Sequence, residues 1–201
     1  MVVADAMLLG MGNHDVRQVT DSRVLAAMSH PLRRRLMDVL KVHGPTTVGL
    51  LAERTGQAPA NVSHHLKVLA GAELVTEAPE LARDRRERWW RLVSRGLRWS
   101  NADFDADPAT RAVADAATSL NLDRHVGLAR AWHAADESAH AAWGDGPFST
   151  DRWLHLSPEE LAELSREVID LLARWADREI PDDGRERQPV FVFAYGIPAQ
   201  P

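Results

Sequence analysis

The stretch from Thr46 to Ala70, "TTVGLLAERTGQAPANVSHHLKVLA", restricts this chain more than any other. Two runs with apolar residues at helical spacing are separated by Gly56. Thr46 or Thr47 offers a hydroxyl to cap the first run, which continues through Thr55 with Leu50, Leu51 and Ala52 turned inward. In the second, over 59–70, Val62, Leu66 and Leu69 recur in steps of four and three and form one buried stripe. Glycine between them permits the left-handed backbone of a tight turn. A helix so placed has one side to bury and another to present. Ala60, Asn61, Ser63, His64 and Lys67 occupy the presented side, and His65 lies nearer the buried stripe.

The flanks extend the pattern. Thr20 or Asp21 caps a helix over 22–30 carrying Val24, Leu25 and Met28 on one side. Pro31 opens another, where its missing amide hydrogen costs nothing, with Leu32, Leu36, Val39 and Leu40 as its stripe. His43, Gly44 and Pro45 end it. Downstream, "ELVTEA" and "ERWWRLV" have the β-branched and aromatic content of strands. The loop between them, "PELARDRR", carries Arg83, Arg85 and Arg86 and runs into Arg88. A helix, glycine turn and helix followed by a hairpin is the organisation of helix-turn-helix units, whose second helix enters a major groove.

Charge agrees with a polyanion at one end. The net charge of −5 conceals 14 Lys and Arg against 8 Asp and Glu over 20–100, and 9 against 19 over 101–201. Such a division also serves if the charges only solubilise two halves. No cysteine is present, which excludes disulfides and thiolate metal sites.

The second half is different in character. Asp107 and Pro108 start a long alanine-rich helix, expected to continue until Gly144 and Gly146 break it. Ser157-Pro158-Glu159-Glu160 combines a serine cap, an early proline and a glutamate three residues after the cap. From there Leu161, Leu164, Val168, Leu171 and Trp175 form a packing seam against another helix of the chain or of a second copy. "VFVFAY", 190–195, reads as a late strand. The expected fold is α+β and mostly helical: a tail over 1–19, a helix-turn-helix domain with a wing over 20–98, and a helical extension over 99–201 ending in a short strand. The apolar amino terminus is interrupted by Asp5 and has no preceding basic residue, a poor secretion signal. No stretch approaches membrane-spanning length, so a cytoplasmic location is expected.

"VLAAMSHPLRRRLMDVL", "LLAERTGQAPANVSHHLKVLAGAELV" and the strand pair with its arginine-rich tip resemble the ArsR-type winged-helix transcriptional regulators over 21–98, "VSHHLKVL" being the most specific piece. The resemblance implies a homodimer that binds double-stranded operator DNA and represses transcription until an effector releases it. It places the DNA-reading helix at Pro59 to Ala70. Thr47, Ala60, Asn61, Ser63, His64 and Lys67, with Arg83, Arg85 and Arg86 on the wing, become the DNA-contacting candidates. Asparagine pairs bidentately with adenine, serine meets base or phosphate, and lysine and arginine neutralise phosphate. Arg33, Arg34 and Arg35 fall on different helical faces, so one of them is expected to be structural.

The chain departs from the family's metal sensors, whose cysteines are replaced by Thr46 through Ala52. Other relatives hold metal on a dimerisation helix, and His133, Asp136 and His140 have suitable spacing, but an exposed polar face explains them equally well. No metal and no cofactor are therefore assigned. Trp99, Trp132, Trp143, Trp153 and Trp175 either line a pocket for a small apolar effector or fill a helical core. Two other function classes compete: a non-DNA-binding sensor or protein-interaction module built on the same winged helix, and an enzyme using His125, His133 or His140. No nucleophile motif, phosphate loop or two-histidine zinc signature supports the enzyme.

Overall fold

A computed structural model describes residues 16–84 and 87–200. The chain divides into two compact units, the first ending at Asp123 and the second beginning at Arg124.

In the first unit, β1 (Val16–Gln18) leads into α1 (Ser22–Met28) and α2 (Pro31–His43). Next come β2 (Thr46–Thr47), α3 (Val48–Thr55), α4 (Pro59–Gly71), β3 (Val75–Glu77), β4 (Trp89–Leu92) and β5 (Gly96–Arg98). The Asp21 carboxylate caps α1, accepting from the Arg23 amide at 2.9 Å. His30 caps α2, its Nδ1 accepting from the Leu32 amide at 3.2 Å, with Pro31 at the first helical position. The Thr47 hydroxyl, not that of Thr46, caps α3 through the Leu50 amide at 3.3 Å.

Leu25, Leu36, Leu51, Val62, Leu66 and Leu69, one or more from each of the four helices, are 0% exposed and form the centre of the core. Burial of each such side chain contributes on the order of 2 kcal/mol. Strands β2, β4 and β3 form an antiparallel sheet in that order, with Thr46 opposite Trp90 and Val75 opposite Leu92. Trp90 enters the core from this sheet.

Several expectations need correction. Leu50 is 40% exposed rather than inward, because the α3 face that packs is set by Leu51, Ala52 and Thr55. The expected tail ends earlier: Val16–Gln18 pairs in parallel with Gly96–Arg98, and Val19 is buried. Position 96 suits glycine there, since a Cβ would stand 3.0 Å from a Val16 methyl. The first unit also continues past 98. Phe104, Ala114 and Ala117 belong to its core, and the Arg34 guanidinium donates to Asn121 Oδ1 at 2.6 Å.

The unit boundary falls within α5 (Pro108–His133), which ends short of the expected break at Gly144 because Asp136 caps a separate helix, α6 (Glu137–Trp143). Helix α7 (Pro158–Asp177) starts where its capping signal put it: Ser157 Oγ accepts from the Glu160 amide at 3.3 Å, and Glu160 returns the bond to the Ser157 amide at 2.7 Å. The strand expected at 190–195 is not formed, since the segment has no hydrogen-bonded neighbour strand among the described residues. Alternating side chains alone do not make a ladder. Among the described residues of this second unit none is buried, and no described helix is long and apolar enough to cross a membrane.

Candidate nucleic-acid interface

Helix α4 is oriented by the turn before it. Gly56 takes φ 66° and ψ 33°, the left-handed conformation, and ends α3. The next amide, of Gln57, then donates back to Ala52 O at 2.9 Å, and that of Gly56 to Glu53 O at 3.2 Å. These bonds satisfy the last carbonyls of α3 and fix the direction in which the chain leaves. Pro59 starts α4 two residues later, after Ala58, which offers no side-chain cap.

Burial then sorts the residues of α4. Val62, Leu66 and Leu69 are fully enclosed, as their spacing requires. Ala60, Asn61, His64 and Lys67 are exposed, and Ser63 is half-buried at the margin. The Asn61 side-chain amide donates to Gln57 Oε1 at 3.0 Å. Gln57 was missed by the sequence reading, although its spacing of four from Asn61 is the signal that finds it.

His65 belongs to the core side. It is 9% exposed, its ring lies 4.5 Å from that of His30 and 5.4 Å from that of His64, and its Nδ1 has no hydrogen-bond partner. A structural hydrogen bond was expected for a histidine beside the stripe; the ring packs there instead, and this nitrogen makes none. Burial lowers the pKa of His65 below the ordinary imidazole value, and the positive potential of His30, Arg33 and His64 lowers it further.

Arginine also anchors the helices. Arg33 donates to the carbonyls of Ala27 and Ala26 at the end of α1, and Arg35 reaches Arg54 O at 3.4 Å. With Arg34 on Asn121, each of the three arginines makes a structural contact, where one was expected to. Arg17, unassigned by the sequence reading, donates to the carbonyls of Glu73 at 2.7 Å and Ala72 at 3.3 Å. It thereby closes the end of α4, where Glu73 adopts φ 54°.

In the loop between β3 and β4, Glu87 is the organiser. Its Oε2 accepts from the Arg83 amide and from Trp89 Nε1, each at 3.1 Å, while its own amide donates to Asp84 Oδ1 at 3.2 Å. The first two bonds hold the Glu87 carboxyl below its usual pKa. Arg83 is exposed. Arg85 and Arg86 lie outside the described residues. At the base of the hairpin Arg91 pairs with Glu80 at 2.6 Å, and Arg88 approaches Glu77 at 3.9 Å. Both pairs are exposed and so add little stability.

The metal candidates are not presented on one helical face. Asp136 interrupts the helix and uses its carboxylate to cap α6, accepting from the Ala139 amide at 2.9 Å and from the Ser138 hydroxyl at 2.7 Å. The Nε2 of His140 lies 2.9 Å from Trp132 O. Among the described residues no group of at least three His, Asp or Glu could hold a metal ion. Of the tryptophans of the second unit, Trp153 and Trp175 are 65% and 62% exposed, so neither lines a closed cavity. The Trp132 ring packs against His140, that of Trp175 against Arg178, and Trp99 Nε1 donates to Thr118 Oγ1 at 3.1 Å. His125 lies among Phe191, Phe193 and Tyr195, with Nδ1 3.2 Å from the tyrosine hydroxyl.

A helix-turn-helix with a full apolar inner stripe, packed beside a small antiparallel sheet that projects one hairpin, defines a winged helix-turn-helix domain. Residues 28–78 match the family model described as a helix-turn-helix domain. Over 56 residues it is 38% identical to the transcriptional repressor SdpR of Bacillus subtilis, a match covering 28% of this chain and 61% of that protein. The chain thus spans less than two thirds of that curated relative. Among solved structures, NolR from Sinorhizobium fredii is 29% identical, covering 37% of this chain and 70% of that one, with a TM-score of 0.32. The homodimeric winged helix-turn-helix DNA-binding domain Mb0332 from Mycobacterium bovis is 20% identical, covering 66% and 93%, with a TM-score of 0.35. Scores this low establish no likeness of whole-chain architecture.

Proposed function

We propose that the chain is a DNA-binding transcriptional regulator of the ArsR type, acting without catalysis as a homodimeric repressor. The observation that carries the reading is the division of α4. Val62, Leu66 and Leu69 lock one side into the core, while Asn61, His64 and Lys67 are exposed on the other beside a hairpin bearing Arg83. In this reading α4 enters a major groove, where Asn61 and His64 meet base edges and Ser63 and Lys67 meet bases or phosphate. Thr47, which starts α3, and Ala60 lie close to the sugar-phosphate backbone. The wing arginines, including Arg85 and Arg86, supply salt-sensitive affinity that is indifferent to sequence.

Homodimerisation is supported by the second unit. A segment in which no described residue is buried, and whose α7 leaves Leu171 46% and Trp175 62% exposed, gains apolar burial by meeting a second copy. Two such domains related by a twofold axis read an inverted repeat with half-sites about one helical turn, roughly 34 Å, apart.

The test is selection of duplexes from a random library by the full chain, followed by titration of the enriched sequence at several salt concentrations. Enrichment of an inverted repeat, with affinity falling steeply as salt rises, is the expected result. Failure to enrich any duplex at low salt would overturn the proposal.

A further inference from the structure

We infer that Gln57 is a specificity-determining positioning residue, which fixes the side-chain amide of Asn61 in the orientation that reads adenine. The inference rests on the DNA-binding reading above and adds a residue and a base preference to it.

The geometry starts with the backbone. The left-handed Gly56 and the bond from the Gln57 amide to Ala52 O hold residue 57 at a fixed place one turn before Asn61. Both side chains are exposed, and Ala58, the N-cap residue between them, supplies no side-chain cap. The single bond from Asn61 Nδ2 to Gln57 Oε1, 3.0 Å long, therefore decides which way the asparagine amide faces.

The hydrogen inventory of an asparagine amide is two N–H donors and one carbonyl acceptor. Gln57 occupies one donor. What remains is one N–H beside one carbonyl oxygen, a donor and an acceptor side by side. Adenine presents its N7 acceptor and N6 donor in the major groove, so the remaining pair matches it. Guanine presents two acceptors, N7 and O6, and leaves the asparagine oxygen facing another oxygen. With the glutamine absent, the exposed amide turns freely about its last torsion, which is broad and nearly twofold for asparagine. It then pays an ordering cost on adenine, and its NH2 group, with both N–H donors released, can turn towards the two acceptors of guanine. Gln57 is consequently expected to act on base choice and little on folding.

The experiment selects duplexes with the wild-type full chain, with Gln57→Leu and with Gln57→Glu. Glutamate retains a side-chain oxygen that accepts from Asn61 Nδ2, whereas leucine keeps similar bulk and accepts nothing. Wild type should prefer adenine over guanine at one position of each half-site by roughly 5- to 150-fold. Gln57→Leu should bring that position close to parity while leaving the other positions and the circular-dichroism melting curve unchanged. Gln57→Glu should bind every duplex more weakly, because a carboxylate meets the phosphate backbone, yet keep the adenine preference. That rescue separates orientation from simple bulk. If Gln57→Leu selects the same sequence as wild type with the same preference, or if Gln57→Glu loses the preference as well, the positioning role is overturned. A wild type that enriches no duplex overturns the DNA-binding reading and this role with it, a distinct outcome.

Discussion

Replacing His65 by leucine should stabilise the winged domain, although the residue lies on the helix proposed to enter DNA. Its Nδ1 is buried without a hydrogen-bond partner, and an unsatisfied group of this kind costs about 1–3 kcal/mol. Leucine removes that cost, keeps an apolar side chain against the core, and gives up the ring contact with His30 at 4.5 Å. A net gain of about 1 kcal/mol at pH 8 follows. The gain also depends on pH, with a definite sign. Burial first, and then His30, Arg33 and His64, depress the folded-state pKa of His65, so the unfolded chain takes up the proton at higher pH. Above the unfolded value of about 6.5 the wild type carries no penalty from this proton. Below it, stability falls with pH by at most about 1.4 kcal/mol per unit, until the folded pKa is reached. His65→Leu escapes that loss, so its advantage widens on acidification. Native-state hydrogen exchange of peptides spanning 59–71, compared between the two proteins at each of pH 8, 7 and 6, cancels the intrinsic pH effect on exchange. Faster exchange in His65→Leu at pH 8, or a gap that stays constant down to pH 6, would refute the burial argument.

Leu66→Ala should act oppositely, because the side chain is 0% exposed and its loss leaves a cavity: about 3–4 kcal/mol less stability, measured by urea unfolding. Thr47→Ala removes the hydroxyl that caps α3 and should cost about 1 kcal/mol in the same assay; an unchanged midpoint would show that the bond at 3.3 Å contributes nothing. Lys67→Ala should weaken binding to all duplexes alike and reduce the slope of log affinity against log salt by about one, with stability unaltered. A change confined to one base position would instead place Lys67 on a base edge.

The helical stripes were legible because burial enforces a period: Val62, Leu66 and Leu69 repeat at the spacing of one helix face, and all are enclosed. Caps with a side-chain oxygen were legible too, outright at Ser157 and to within one residue at Asp21 and Thr47, where Thr20 and Thr46 offered equal hydroxyls. The misses have physical causes. Strand β1 is three residues long and its partner lies far along the chain, so neither period nor turn announces it. The break between α5 and α6 falls at Ala134 and Ala135, residues that favour helix, and only the capping preference of Asp136 marks it. Leu50 shows the limit of composition: its neighbour Leu51 takes the inward position, and one helical step of about 100° carries residue 50 off the packed face. The outward residues of α4 were identified by elimination, whereas the bond between Gln57 and Asn61 depends on where Gly56 sends the chain.

The two halves of the chain differ in what closes them. In the first unit one apolar side from each helix and Trp90 from the sheet meet in a single core, which leaves Asn61, His64 and Lys67 free to serve something other than folding. In the second unit, α7 has a strong cap and a regular apolar seam, yet Val168 is only half-buried, and Ile169, Leu171 and Trp175 are exposed. Both features stabilise a helix, but a seam yields its hydrophobic free energy only when covered. Folding of the first unit can therefore be complete within one chain, while the second has apolar surface to spend on association. That division suits the proposed DNA-reading dimer, whose reading helix must be rigid in each copy and whose spacing between copies is set elsewhere. Truncation after Asp123 should accordingly leave α4 ordered, judged by amide exchange, while a shift in sedimentation of the full chain from dimer to monomer should accompany Trp175→Glu. A full chain that sediments as a monomer before any substitution would defeat the dimer and leave the fold of the winged domain untouched.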